Sequence, residues 1–249
     1  MKICVLSGRY PATSFLSSEN HRIYCSYHGY YYINCNWPTQ AQNPYLHKFN
    51  YIDHYLTLFD FVFWIDDDAF FLDVTKPLNC FIPEHNIFLS ICHSPDNKKI
   101  KTVFSSGSFM ISSSLIGKLF VRRVLETNLE VVKKWWTHEK GFFTNGDQDI
   151  MIYLYLTSSE FQNKIKFFNH HAFNSRLEDL IEGDRVFLIH ITGTSNHKLK
   201  TYKKLQSFLN VDRTLLNIKL HNDFKVIDTK SIFYKLKVKA YTIKKFLKI

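Results

Sequence analysis

Phe61-Val62-Phe63-Trp64-Ile65-Asp66-Asp67-Asp68-Ala69 is the stretch from which the fold can be read. Five apolar residues run without interruption, so neither face of this segment is suited to water. That is the pattern of a strand covered by helices above and below. Outward from it, strand-like and helix-like segments alternate. Ile3–Ser7 reads as a first strand, Ser17–His28 as a helix stopped by Gly29, and Tyr30–Ile33 as a second strand. Pro44 opens a helical stretch in which Leu46, Phe49, Ile52, Leu56 and Leu58 recur near a 3.6-residue period. Downstream, strands are expected at Ile87–Cys92, Ser108–Ile111, Ile165–Phe168 and Val186–Ile191, with long helices at Ser113–Trp135 and Gln148–Thr157. The alternation predicts an α/β domain with a mixed, mostly parallel sheet and flanking helices.

Asp66, Asp67 and Asp68 follow the strand with no Gly, Ser or Pro between. Adjacent carboxylates repel one another unless a cation neutralises them. The carboxyl end of a strand is where open α/β sheets bind ligands. In extended backbone Asp66 and Asp68 point to the same side. Together they can hold one hard divalent ion, Mg²⁺ or Mn²⁺, with positions left for water and a substrate diphosphate. Two further motifs suit the same site. Gly146-Asp147-Gln148-Asp149 precedes an apolar helical run, and Asp147 can equally be a simple helix cap. Val186-Phe187-Leu188-Ile189-His190-Ile191-Thr192-Gly193 is an apolar strand ending in a histidine and a glycine turn; a neutral imidazole there can be a third metal ligand.

The 249 residues carry 45% hydrophobic and 22% charged side chains, which excludes intrinsic disorder for most of the chain. Glycines number only 8, and Gly107, Gly146 and Gly193 fall in the motifs of interest. The five cysteines form no C-x-x-C pair, which argues for reduced buried thiols over a zinc knuckle. Met1–Gly8 lacks the apolar run of a secretory signal, and no stretch approaches the roughly 18 apolar residues of a membrane span. A cytoplasmic protein is expected. The net charge of +10 points to anionic partners. Much of it sits in 225–249, where eight lysines face one acid, Asp228. Drawn as a helix, Ile232, Leu236, Ala240, Ile243 and Leu247 share one face flanked by lysines. Residues 1–210 therefore read as the catalytic domain and 211–249 as a basic amphipathic tail, which either packs on the domain or docks on an anionic membrane surface.

Taken in order, these motifs resemble those of retaining glycosyltransferases of the GT-A fold, in family 34 (α-galactosyl- and α-xylosyltransferases) and family 8. Trp64-Ile65-Asp66-Asp67-Asp68-Ala69 is similar to the stretch that carries their DxD metal motif. Tyr45-Leu46-His47-Lys48 leads into a helix whose basic residue, here Lys48, reaches the donor. His28-Gly29-Tyr30 resembles the H-G-Y of family 34, and Phe104-Ser105-Ser106-Gly107-Ser108-Phe109-Met110-Ile111 the donor-sugar strand. Asp147-Gln148-Asp149 matches the D-Q-D of family 8, and His190-Ile191-Thr192-Gly193 the H-x-x-G whose histidine completes the metal site. The chain departs from the pattern at Asn196, where family 8 usually has a diphosphate-binding lysine, so that Lys198 or Lys200 must substitute. Ser106 stands where Asn is common.

The resemblance implies a Mn²⁺- or Mg²⁺-dependent transfer of a hexose, galactose or glucose, from a UDP-sugar to a glycan, lipopolysaccharide or glycolipid acceptor. It implies a metal on Asp66, Asp68 and His190. Donor contacts would come from Lys48, Asp67, Ser106, Gly107, Gly193 and Lys198, and catalytic groups from Asp147, Gln148 and Asp149, with Asp149 expected to line the anomeric carbon. Two rival readings follow from the residues. A haloacid dehalogenase-type phosphatase also uses D-x-D after a strand, although there it follows the first strand. A nucleic-acid-binding module would use the basic charge and the aromatics, but the aromatics lie mainly in apolar elements, so no nucleic acid is expected.

Overall fold

A computed structural model describes residues 1–12, 15–41, 43–95 and 102–216. In chain order the elements are β1 (Ile3–Gly8), α1 (Ser17–His28), β2 (Tyr31–Cys35), α2 (His47–Tyr55), β3 (Phe61–Ile65), β4 (Ala69–Phe71), β5 (Leu89–Cys92), β6 (Ser108–Ser112), α3 (Leu115–Glu126), α4 (Leu129–Trp135), α5 (Asp147–Thr157), β7 (Ile165–Phe168), α6 (Leu177–Ile181), β8 (Leu188–His190) and α7 (Ser195–Leu209). The main sheet runs β2-β1-β3-β6-β5-β7, and a second, two-stranded sheet pairs β4 with β8. β6 is antiparallel to both its neighbours, while the β1–β2, β1–β3 and β5–β7 pairs are parallel. The expected α/β architecture with a mixed, mostly parallel sheet is what forms.

β3 lies in the middle and shows why its sequence is apolar throughout. Val62 and Trp64 face one layer, with Phe49 and Ile52 of α2, Phe120 of α3 and Ile150 of α5. Phe63 and Ile65 face the other, with Ile23 and Tyr24 of α1, Phe71 of β4 and Phe173 and Phe187 from loops. Both faces are therefore dry, which favours large aromatic and branched side chains over alternation. Many of the aromatic side chains pack in these layers.

Two expectations are corrected. The single helix anticipated over Ser113–Trp135 is two, because Thr127 is extended (φ −75°, ψ 123°) and Asn128 caps a new helix by accepting from the Glu130 N–H. Strand β4 has no counterpart in the sequence reading: it immediately follows the acidic turn and is too short to show a period. Residues 211–216 still pack on the domain, with Leu215 and Leu216 buried. The lysine-rich helix drawn over 225–249 lies outside the described residues.

α1 holds β4 in place with a polar stripe at helical spacing. Ser17 Oγ donates to the Asp67 carbonyl at 2.6 Å. Asn20 Nδ2 donates to the carbonyls of Phe71 and Thr214 at 2.8 and 2.9 Å, and its Oδ1 accepts from the Phe71 N–H at 2.8 Å. His21 Nε2 meets the Ala69 carbonyl at 2.8 Å, and the Tyr24 ring stacks on Phe71. The helix edge thus stands in for a neighbouring strand.

His21 is fully buried, and that burial pushes its pKa from 6.5 down to about 4, against the opposing effect of the Ala69 carbonyl. The folded state therefore disfavours the imidazolium that the unfolded chain accepts. The sign follows: this contribution is complete above the unfolded value of 6.5 and is lost as pH falls toward 4. At about 1.4 kcal/mol per pH unit the loss amounts to about 3 kcal/mol. Urea unfolding at a series of pH values should show wild type losing this much more stability than His21→Gln over that interval; parallel curves would contradict the assignment.

Candidate active site

Strand polarity brings the motifs together. Because β6 runs antiparallel to β3, its first residue, Ser108, pairs with the last of β3, Ile65. Ser106 and Gly107 therefore lie beside the acidic turn, and the Asp66 N–H donates to the Gly107 carbonyl at 2.8 Å. The β4–β8 pair does the same for the histidine: Ala69 pairs with His190, and the Ile191 N–H donates to the Asp68 carbonyl at 3.0 Å. Gly107 is required by the packing, since a Cβ there would lie 2.1 Å from His190 Cε1.

Asp66, Asp68 and His190 present ligand atoms that all lie within 4.8 Å of one another. His190 Nε2 is 3.2 Å from Asp68 Oδ1 and 3.9 Å from Asp66 Oδ2. Asp68 is buried, and its Oδ1 is shielded from solvent with no hydrogen-bond donor on it. An oxygen so placed beside an imidazole nitrogen is suited to sharing a cation with it. Two carboxylates and a histidine are a donor set that Mn²⁺ or Mg²⁺ accepts, so the residues fit the ion that the motifs imply.

Two lysines balance the acids. Lys48 of α2 is 8% exposed. Its ammonium sits 2.9 Å from Asp147 Oδ2 and 3.2 Å from Asp66 Oδ1, donates to the Ser106 carbonyl at 2.9 Å, and lies over the Trp64 ring. Burial alone would lower its pKa; Asp147 and Asp66 overturn that and hold it above the ordinary lysine value. Lys198, in the first turn of α7, is ion-paired with Asp68 Oδ2. For Asp68 burial pulls the pKa up, and His190 and Lys198 together outweigh it, holding the carboxyl well below the usual carboxylate range. Trp64 Nε1 donates to Asp66 Oδ1 at 2.7 Å, from two residues earlier on the same face of the strand.

The predicted residues divide into two groups. Lys48, Asp66, Asp67, Asp68, Ser106, Asp147, Gln148 and Lys198 line one cleft of about 370 Å³, with Arg9, Tyr10 and Tyr45. Gln148 Oε1 accepts from the Ser106 N–H at 3.1 Å, tying the start of α5 to the start of β6. Gly107 and His190 pack one against the other and are not among the residues that line it. Asp149 is not brought to the cleft. It is wholly buried, and its Oδ2 accepts from Thr144 Oγ1 and the Gly146 N–H at 3.0 and 3.2 Å, closing the end of α5. That burial raises its pKa against those hydrogen bonds. The expectation that it lines the anomeric carbon is corrected on this geometry. Gly193 turns the chain from β8 into α7 at φ 108° and is exposed. Of the two lysines that could substitute at the Asn196 position, Lys198 turns inward and Lys200 is exposed.

Comparison with solved structures decides the fold. A glycosyltransferase involved in the glycosylation of the major capsid of PBCV-1 superposes with a TM-score of 0.60 at 16% identity, over 81% of this chain and 98% of that one. The chain has the GT-A glycosyltransferase fold. The galactosyltransferase LgtC, solved with donor and acceptor sugar analogues, gives 0.51 at 12% identity over 77% of this chain and 88% of its own. The bifunctional glycosyltransferase WbbM gives 0.52 at 10% identity over 89% of this chain and 51% of its own. No protein-family model matches the sequence, and no curated protein matches it. At these identities the likeness is one of fold, and it bears out the GT-A architecture that the motifs imply. The D-x-D here follows β3 and not the first strand, unlike the pattern of the phosphatase reading.

Removing one member of a buried ion pair leaves the other charge uncompensated, at a cost of about 3 kcal/mol or more. Lys48→Met should lose that much in urea unfolding, and Lys48→Met with Asp147→Asn should recover part of it. Additive losses would show that Lys48 and Asp147 do not act as a pair.

Proposed function

We propose that this GT-A domain is a divalent metal-dependent, retaining glycosyltransferase that moves galactose or glucose from a UDP-sugar to a glycan, lipopolysaccharide or glycolipid acceptor. The observation that carries the reading is the convergence of Asp66, Asp68 and His190 with Lys48, Lys198 and Gln148 around one cleft at the end of the central strand. Four aspartates and two lysines lining a 370 Å³ space are suited to a ligand with both cationic and anionic character. A metal–diphosphate pair is such a ligand.

Asp66, Asp68 and His190 would hold a Mn²⁺ or Mg²⁺ ion, which would supply Lewis-acid stabilisation of charge on the leaving diphosphate. Lys48 and Lys198 supply fixed positive charge on the same side; each is anchored by a carboxylate, so little reorganisation is needed when the sugar–phosphate bond breaks. Gln148 and Asp147, at the first turn of α5, line the same cleft, and this reading assigns them to the sugar. In a same-face transfer the glycosidic bond to phosphate breaks, the acceptor oxygen bonds to the anomeric carbon, and the acceptor proton leaves on the diphosphate. No separate protein base is then required, and the burial of Asp149 is compatible with that. Action in the cytoplasm, with 225–249 attaching the enzyme to an anionic membrane, rests on the lysine content of that segment and on the lack of a membrane-crossing helix among the described residues.

Incubation with UDP-galactose or UDP-glucose and Mn²⁺ should release UDP, and EDTA should abolish the release. Asp68→Ala should reduce it by about 100-fold or more, the scale of losing one electrostatic stabiliser of the transition state. Absence of nucleotide release from any UDP-, GDP- or CMP-sugar would overturn the proposal.

A further inference from the structure

Behind His190, on the side away from the carboxylates, lies a buried amide that no sequence motif marks. Asn174 sits in the loop between β7 and α6 with no exposed surface. Its Oδ1 is 3.0 Å from His190 Nδ1. The same oxygen accepts from Arg176 Nη1 at 3.0 Å, and Arg176 Nη1 also donates to the Asn174 backbone carbonyl at 2.7 Å. Backbone bonds lock this loop against β8: the His190 N–H donates to the Ser175 carbonyl at 2.9 Å and the Ser175 N–H to the Leu188 carbonyl at 3.1 Å. The Arg176 N–H donates to Asp179 Oδ2 at 2.7 Å.

The chemistry of the donors settles which way round the amide stands. A guanidinium can only donate, so the Asn174 atom facing Arg176 is the oxygen. That oxygen then also faces His190 Nδ1, which must be the donor. Asn174 Nδ2 is buried without a hydrogen-bond partner, so the orientation of the amide rests on the Arg176 contact to its oxygen. A neutral imidazole with its proton on Nδ1 has its lone pair on Nε2, the nitrogen aimed at Asp66 and Asp68.

We propose that Asn174, oriented by Arg176, is a positioning residue that fixes His190 as the Nδ1–H tautomer and so presents Nε2 as a ligand to the divalent ion. The inference rests on the metal-site reading above and deepens it. A carboxylate or carbonyl on the outer nitrogen of a ligating histidine sets ring orientation and basicity, and removing such a partner costs about 10- to 100-fold in metal affinity. Here that partner is delivered by a side chain sixteen residues before the histidine.

The test has two readouts. In ¹⁵N NMR of metal-free wild-type protein, at a pH where the His190 ring is neutral, the ring should be protonated on Nδ1; protonation on Nε2 would overturn the proposal. In calorimetric titration with Mn²⁺, Asn174→Leu should bind about 10- to 100-fold more weakly, whereas Asn174→Asp, which keeps an oxygen for both donors, should stay near wild type. Wild-type affinity in a folded Asn174→Leu protein would also overturn it. If Asn174→Leu does not fold, the tautomer and the Asn174→Asp titration decide, weak binding by Asn174→Asp counting against. If wild type binds no Mn²⁺, the metal reading fails by itself, and the tautomer measurement still decides the role of Asn174.

Discussion

Three carboxylates brought to one point at the edge of a dry core repel one another, and the rest of the architecture is arranged around that repulsion. Asp66, Asp68 and Asp147 would each raise the free energy of the folded state if left with only one another. Lys48 is inserted between Asp66 and Asp147, Lys198 is held on Asp68, and His190 stands over both DxD carboxylates. The cluster is therefore a near-balanced set of charges.

Most of the fold serves to aim those groups. The reversed strand β6 is what returns Ser106 and Gly107 to the turn after β3; in a wholly parallel sheet the start of that strand would lie at the opposite edge. The β4–β8 pair places His190 beside Asp68 by backbone hydrogen bonds, independent of the side chains' attraction. α1 supports that pair from behind through Ser17, Asn20 and His21, and the loop carrying Asn174 and Arg176 supports it from the other side. A site held by backbone pairing on several elements is rigid, as electrostatic preorganisation requires.

Much of this was legible in the residues. The uninterrupted Phe61–Ile65 run identified a doubly covered strand. Asp66 and Asp68 do converge, but through a turn closed by the Ala69 N–H on the Asp66 carbonyl and not through the extended backbone expected. His190 and Gly193 stood out as a strand end, and Lys198 or Lys200 as the residue to substitute for the missing lysine at Asn196. What escaped had no periodic signal. β4 is three residues long, the break at Thr127 interrupts an otherwise helical pattern, and Asn174 lies in irregular chain whose partner is distant in sequence. Asp149 was misjudged for a different reason. A carboxylate three residues after Gly146 can either face the cleft or close the helix end, and only the Thr144 and Gly146 donors reveal which. Trp64 could have been found, since residues two apart in a strand share a face.

By itself, then, the sequence determined the class of fold and picked out the candidate site motifs, because hydrophobic period and local charge spacing are properties of a few adjacent residues. The +10 balance it also records says little about the cleft, since +7 of it lies in 225–249. Only the tertiary structure decided which charges meet. Pairings such as Lys48 with Asp147, Lys198 with Asp68 and Asn174 with His190 depend on strand order and direction, which no local pattern encodes. Their energetic weight comes from burial, which exists only once the layers have closed over them.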